Sequence, residues 1–168
     1  MKKIIFITIF ALLSLNAYAG CDDPIGDGVD YTNCRFSDGQ DLAGSYLPNA
    51  NLSFSSFIQV NFDKSIMMNS ILSFGTFAES TFVRANLYES NLQGANFEQS
   101  DFTSSNLTRV NFKGATLIGV NFKNANLMEA NFTSANILDA NFEGANLNGA
   151  TWTDQKACGI DSIGKCSN

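Results

Sequence analysis

The chain has 168 residues, one domain's length, with ten Lys and Arg against sixteen Asp and Glu. It contains no histidine, which removes the commonest general base and the commonest transition-metal ligand together and argues against an enzyme. Its acidic balance argues against nucleic acid and anionic lipid as partners, because phosphate recognition needs clustered cations.

The first nineteen residues read as a signal peptide. Lys2 and Lys3 give a positive start, Ile4 to Leu15 is an apolar run, and Ala17-Tyr18-Ala19 supplies a small-x-small cleavage pattern. The run is too short for a membrane-spanning helix, which needs roughly 20 apolar residues. Cleavage after Ala19 removes two lysines and leaves eight cations against sixteen acids, with no membrane insertion of the mature chain. The expected location is the periplasm or the exterior. Gly20-Cys21 offers a competing lipoprotein signal, but Tyr18 stands where an aliphatic residue is usual. Lipidating Cys21 would also strand one of the four cysteines as a free thiol.

Residues 20–39 form an acidic lead-in with Asp22, Asp23, Asp27, Asp30 and Asp38, and Asp41 just beyond, against Arg35 alone. Calcium is a conceivable ligand for such a loop, but the spacing is not that of an EF-hand and the bidentate glutamate is missing. A solvated polar cap is the expectation.

From residue 40 to residue 154 the chain has a five-residue period. Every fifth residue from Leu42 to Trp152 is Leu, Phe, Ile, Met or Trp, with no insertion breaking the phase. Two places before each of these stands mostly Ala, Ser or Gly, and one place before mostly Asn, Asp or Thr. A helix would sweep the apolar residue around every face, and a simple strand would alternate it in and out, so neither gives this pattern. A second period of twenty lies inside the first. Sorted by every fourth repeat, one column reads Leu42, Phe62, Phe82, Phe102, Phe122, Phe142, while the next, from Leu47 to Leu147, has no phenylalanine. Residues twenty apart are therefore expected to stack, giving a coil of four five-residue sides.

With runs such as ANLYES, ANFEQS, ANFEGA and ANLNGA, the chain resembles the pentapeptide-repeat family, whose pattern is A-(N/D)-L-x-x. The resemblance implies an all-β fold, a right-handed quadrilateral parallel β-helix of about six coils. In that fold the central apolar residue and the small residue two before it point inward, and the other three face solvent. At about 4.8 Å per coil the rod is roughly 25–30 Å long, and outward Asn side chains can bond from coil to coil.

Ser65 to Ser73 departs from the pattern, with Ile66 and Ile71 where Asn is usual and Met67 in a leucine column. This is the segment expected to pack worst.

Solenoid ends need caps, and the cysteines lie outside the repeat, two per end. A rod separates the ends, so the local pairing Cys21–Cys34 and Cys158–Cys166 is expected, closing residues 20–39 and 155–168 as disulfide caps. Metal binding by the four cysteines is the competing reading, without C-x-x-C spacing to support it. Trp152 is expected to fill the last interior place and to close that end with the Cys158–Cys166 loop.

No catalytic residue and no cofactor is expected. Serines have no histidine to activate them, and Asp63, Glu79, Glu89, Glu98 and Asp101 fall in different columns. Function is left to the outside, as a non-enzymatic structural or protein-interaction module. The candidate interaction ridge is Met68, Tyr88 and Met128, in line with Pro48 and Thr108, for a protein partner or self-association. Ile58, Ala78, Glu98, Ile118 and Leu138 make a second line, and Phe54 and Phe74 stack in a third place. Some members of the family are DNA mimics that interact with topoisomerase, which is the alternative reading. The five bases of the repeat region and the export signal argue against it. A cell-envelope polysaccharide-binding or calcium-binding module is a further alternative.

Overall fold

The computed structural model describes residues 20–167. The signal peptide expected over residues 1–19 lies outside the described residues.

Parallel β-bridges link each outward residue to the one twenty places on, from Asp41↔Asn61 to Asn131↔Thr151, with no break in register. The chain is a right-handed β-helix with four sides per coil. Side one holds the Leu42–Phe142 column, side two the Leu47–Leu147 column, side three the Leu52–Trp152 column and side four the Phe57–Ile137 column.

Five residues suffice for one side because each backbone N–H has a destination. In the repeat around Leu107, the Asn106 N–H reaches back to the Ala85 carbonyl (2.9 Å), and the Leu107 and Arg109 N–H groups reach forward to Asn126 (2.8 Å) and Met128 (2.9 Å). The Val110 N–H closes the corner on the Leu107 carbonyl (3.2 Å). The fifth donor, on Thr108, faces neither coil and is accepted by Asn106 Oδ1 (3.2 Å). Every Asn or Asp in the outward place does the same for the residue two ahead of it. The Asn/Asp preference is thus a backbone requirement, because an unpaired donor costs about as much as a lost hydrogen bond. The same side chains form the expected vertical ladder, as in Asn106 to Asn86 (3.0 Å) and Asn111 to Asn91 (3.1 Å).

The shaft is filled by stacked rings. Phe57, Phe77 and Phe97 lie nearly parallel, with centroids 5.3 and 5.0 Å apart, and edge-on to the Phe62–Phe82–Phe102 stack. At the inward Gly75, a Cβ would lie 2.6 Å from the Phe77 ring. Several inward serines replace alanine by bonding across coils. Ser80 Oγ donates to the Phe57 carbonyl (2.6 Å) and accepts the Val60 N–H (2.9 Å).

Three expectations need correction. The segment Ser65 to Ser73 is not loosely packed, since Met67 and Leu72 are fully buried; its defect is polar. Ser65 Oγ is buried without a hydrogen-bond partner. Because Ile66 and Ile71 cannot accept, the Met68 and Ser73 N–H groups also lack one among the described residues. Second, coil register begins before residue 40. Asp30↔Asn51 and Arg35↔Ser56 are already parallel bridges, at a separation of 21 rather than 20, so one extra residue lies between Arg35 and Asp41. Tyr31 and Phe36 are this coil's inward residues. Third, Trp152 is only half-buried; it packs against Phe132 (5.4 Å) and Phe142 (5.3 Å), and the terminal loop does not seal it.

Both local disulfides are formed, Cys21–Cys34 and Cys158–Cys166, with Cα–Cα distances of 5.5 and 5.0 Å.

Candidate interaction surface

The ridge of Met68, Tyr88 and Met128 is broken. Pro48 and Thr108, which should continue it, are buried, and Met68 and Tyr88 are half-buried. Beside Tyr88, the neighbouring corner positions carry an ion-pair chain. Arg109 bridges Glu89 (3.1 Å) and Glu129 (2.7 Å) and donates to the Tyr88 hydroxyl (3.1 Å). The Tyr88 hydroxyl and the Arg109 guanidinium hold the Glu89 carboxyl below its usual range. This strip is polar.

Exposed apolar surface collects elsewhere, on the two coils that carry residues 46–54 and 66–74. Tyr46 (54% exposed) and Ile66 (36%) are bridged neighbours in the middle of side two. Ile71 (40%) occupies the middle of side three. Phe54 (59%) and Phe74 (52%) stack on the following corner with centroids 5.4 Å apart, and Phe74 lies across Gly94, where a Cβ would come within 2.6 Å of its ring. Half-buried Met68 lies on the corner between sides two and three. Together they form an apolar belt around two adjacent sides.

The exposed belt residues occupy places the fold usually gives to polar ones. Tyr46, Ile66 and Ile71 stand where the fold wants an Asn or Asp acceptor. Only Tyr46 is compensated, because Pro48 has no N–H to satisfy. Phe54 and Phe74 occupy corner positions at φ 59° and 58°, left-handed backbone in which bulky residues are rare. The sequence signal for this belt is a large apolar residue in the acceptor place, at Tyr46, Ile66 and Ile71.

The N-terminal carboxylates are not gathered into a metal site. Asp30 Oδ1 accepts from the Thr32 N–H (2.9 Å) and the Thr32 hydroxyl (2.5 Å), and Asp27 Oδ1 accepts from Asn49 (2.8 Å). Among the described residues, no three Asp, Glu or Cys side chains are placed to hold a metal ion.

Two family models match the chain: pentapeptide repeat region over residues 75–152, and pentapeptide repeats (8 copies) over residues 41–73. A sequence comparison with curated proteins returned no match. Among solved structures, the chain is similar to full-length QnrB1, a plasmid-mediated fluoroquinolone resistance protein, at 24% identity and TM-score 0.68, over 74% of this chain and 65% of that one. A trypsin-treated form of the same protein aligns at 25% identity and TM-score 0.56, over 74% and 63%. The chain therefore spans just under two thirds of QnrB1. A pentapeptide-repeat protein, Rfr23 from the cyanobacterium Cyanothece 51142, aligns at 22% identity and TM-score 0.50, over 75% of this chain and 86% of that one. By repeat, by coil geometry and by these matches, the chain belongs to the pentapeptide-repeat family.

Proposed function

We propose that this protein is an exported, non-enzymatic interaction module that binds another protein through the apolar belt of Tyr46, Phe54, Ile66, Ile71 and Phe74. One observation carries the reading: where a large apolar residue replaces the outward acceptor, at Tyr46, Ile66 and Ile71, that residue is exposed and lies beside the exposed Phe54–Phe74 stack. Sacrificed local stability marks functional sites, and a contiguous exposed apolar patch marks a contact surface. Export is supported by the two disulfides and by the absence of a free cysteine among the described residues, which suit an oxidising compartment. The Cys21–Cys34 bond supports this reading over a lipoprotein, in which Cys21 would be acylated.

The test is site-specific photo-cross-linking in the expressing cell, with the probe at residue 74 and, as control, at residue 123 on side one. A discrete protein adduct from residue 74 only, lost on Ile66→Asn with Ile71→Asn, supports the reading. Equal adducts from both sites, or none from residue 74, refute it. The DNA-mimic alternative is checked in parallel. Inhibition of gyrase supercoiling by the purified chain, unaffected by the belt substitutions, would replace the belt reading with that one.

A further inference from the structure

The apolar belt has a charged border, and the charge left unspent there has one sign. Residues 46–58 and 66–78, which supply sides two to four of the two belt coils, contain no Asp, Glu, Lys or Arg. The carboxylates around them are already engaged. In the N-terminal lead-in Asp27 accepts from Asn49 and Asp30 from Thr32, and on the next coil Glu89 is bonded to Arg109.

Lys64 and Arg84 are not engaged. Both are exposed, on successive coils, at the corner where side one meets side two. The Lys64 N–H donates to the Val83 carbonyl (2.9 Å), which ties the two corners together. Neither side chain makes a hydrogen bond or an ion pair among the described residues. The adjacent acid, Asp63, turns Oδ1 to the Val83 N–H (3.0 Å), and Asp41 on the preceding coil turns Oδ1 to the Ala43 N–H (3.1 Å).

This pair breaks the charge pattern of the rest of the rod. Wherever else charged residues stand twenty apart on the coils, they have opposite sign and are bonded: Glu89 with Arg109 (3.1 Å), Arg109 with Glu129 (2.7 Å), Lys123 with Glu143 (3.0 Å). Like charges facing each other across adjacent strands are destabilising, and nothing among the described residues offsets this pair. Two residues of extended chain, about 6–7 Å, separate Lys64 from Ile66 in the middle of side two, and Tyr46 is bridged to Ile66 on the preceding coil.

We infer that the protein segment bound by the belt is acidic: an Asp or Glu carboxylate seats between Lys64 and Arg84, and apolar side chains beside it cover Tyr46 and Ile66. The inference rests on the belt reading and gives the partner its chemistry. A carboxylate between two cations is the sign-reversed form of Arg109 between Glu89 and Glu129. An anionic bilayer is the poorer match. Such surfaces are held by clusters of about 4–8 basic residues, and with ten Lys and Arg against sixteen Asp and Glu the rest of this chain is repelled by one.

The test selects a phage library of random short peptides on the full chain. Recovered peptides should carry Asp or Glu beside large apolar residues. On Lys64→Glu with Arg84→Glu the apolar residues should stay, while Lys and Arg replace the acids. Glu and Gln already hold this corner conformation at Glu79, Glu89, Gln59 and Gln99, so such exchanges fit the backbone. A recovered acidic peptide, titrated by fluorescence anisotropy, should bind about three- to tenfold more weakly to Lys64→Gln with Arg84→Gln. That difference should shrink as salt rises. If the unmodified and charge-reversed chains select the same peptides, and Ile66→Asn with Ile71→Asn still abolishes recovery, the inference falls and the belt reading stands. Recovery indifferent to Ile66→Asn with Ile71→Asn removes both. Failure to recover any peptide overturns the inference, as does capture of the chain by phosphatidylglycerol vesicles that Lys64→Gln with Arg84→Gln prevents.

Discussion

Ser65 and Ser80 both occupy the small inward slot, and both have fully buried side chains. Replacing each by alanine should move stability in opposite directions. Ser65 Oγ has no partner, and a hydroxyl buried unpaired costs about 1–3 kcal/mol by mutational scales. Alanine already fills the same slot one coil on, at Ala85, which is fully buried. Ser65→Ala should therefore stabilise the chain by about 1–2 kcal/mol. Ser80→Ala removes the bond to the Phe57 carbonyl and strands the buried Val60 N–H, whose acceptor is Ser80 Oγ. That variant should lose about 1–3 kcal/mol. Thermal melts followed by circular dichroism, with the disulfides intact, resolve both, at roughly 2–4 °C of Tm for each kcal/mol in a chain of this size. If Ser65→Ala destabilises, its hydroxyl reaches the Phe62 carbonyl as Ser45 and Ser105 reach Leu42 and Phe102, and the reasoning fails. Equal losses from both variants would refute it too.

Restoring the acceptor with Ile66→Asn and Ile71→Asn should gain about 0.5–1.5 kcal/mol each from the satisfied Met68 and Ser73 N–H groups, read as a higher urea midpoint at unchanged m-value. Replacing Cys158 and Cys166 by serine opens a loop of separation 8 and should cost about 2.6 kcal/mol by chain entropy; hydrogen exchange should localise the fraying to residues 156–164 and leave the coils around Phe102 protected. Burial and the nearby Asp23 raise the Tyr31 phenol above its ordinary 10.0. The folded form therefore holds its proton where the unfolded chain loses it, so stability is level below about pH 10 and falls above it, and Tyr31→Phe should abolish that fall.

The interior was legible because one column of residues must fill one narrow shaft, so the five- and twenty-residue periods report packing directly. The rest depended on backbone accounting, to which hydrophobic period is blind. Tyr31 and Phe36 belong to the shaft, yet the additional residue before Asp41 puts them out of phase with Leu42. Ile66 and Ile71 disturb the pattern without disturbing the core, because the place they occupy points outward and serves the neighbouring N–H. Met68, Tyr88 and Met128 do lie in line, but Pro48 and Thr108 are buried in that line and Arg109 bonds across to the Tyr88 hydroxyl. The antiparallel return of residues 156–158 and 162–164 follows no period at all.

Unbroken register also makes length a free variable. Excising residues 82–101 would set Phe62 directly beneath Phe102 and leave both caps and all four columns in phase. The belt and the C-terminal cap are separated by about four coils, or ~19 Å at the strand spacing. Whole coils could be gained or lost without remaking either surface, so the molecule is built like a ruler whose markings are fixed and whose span can be reset.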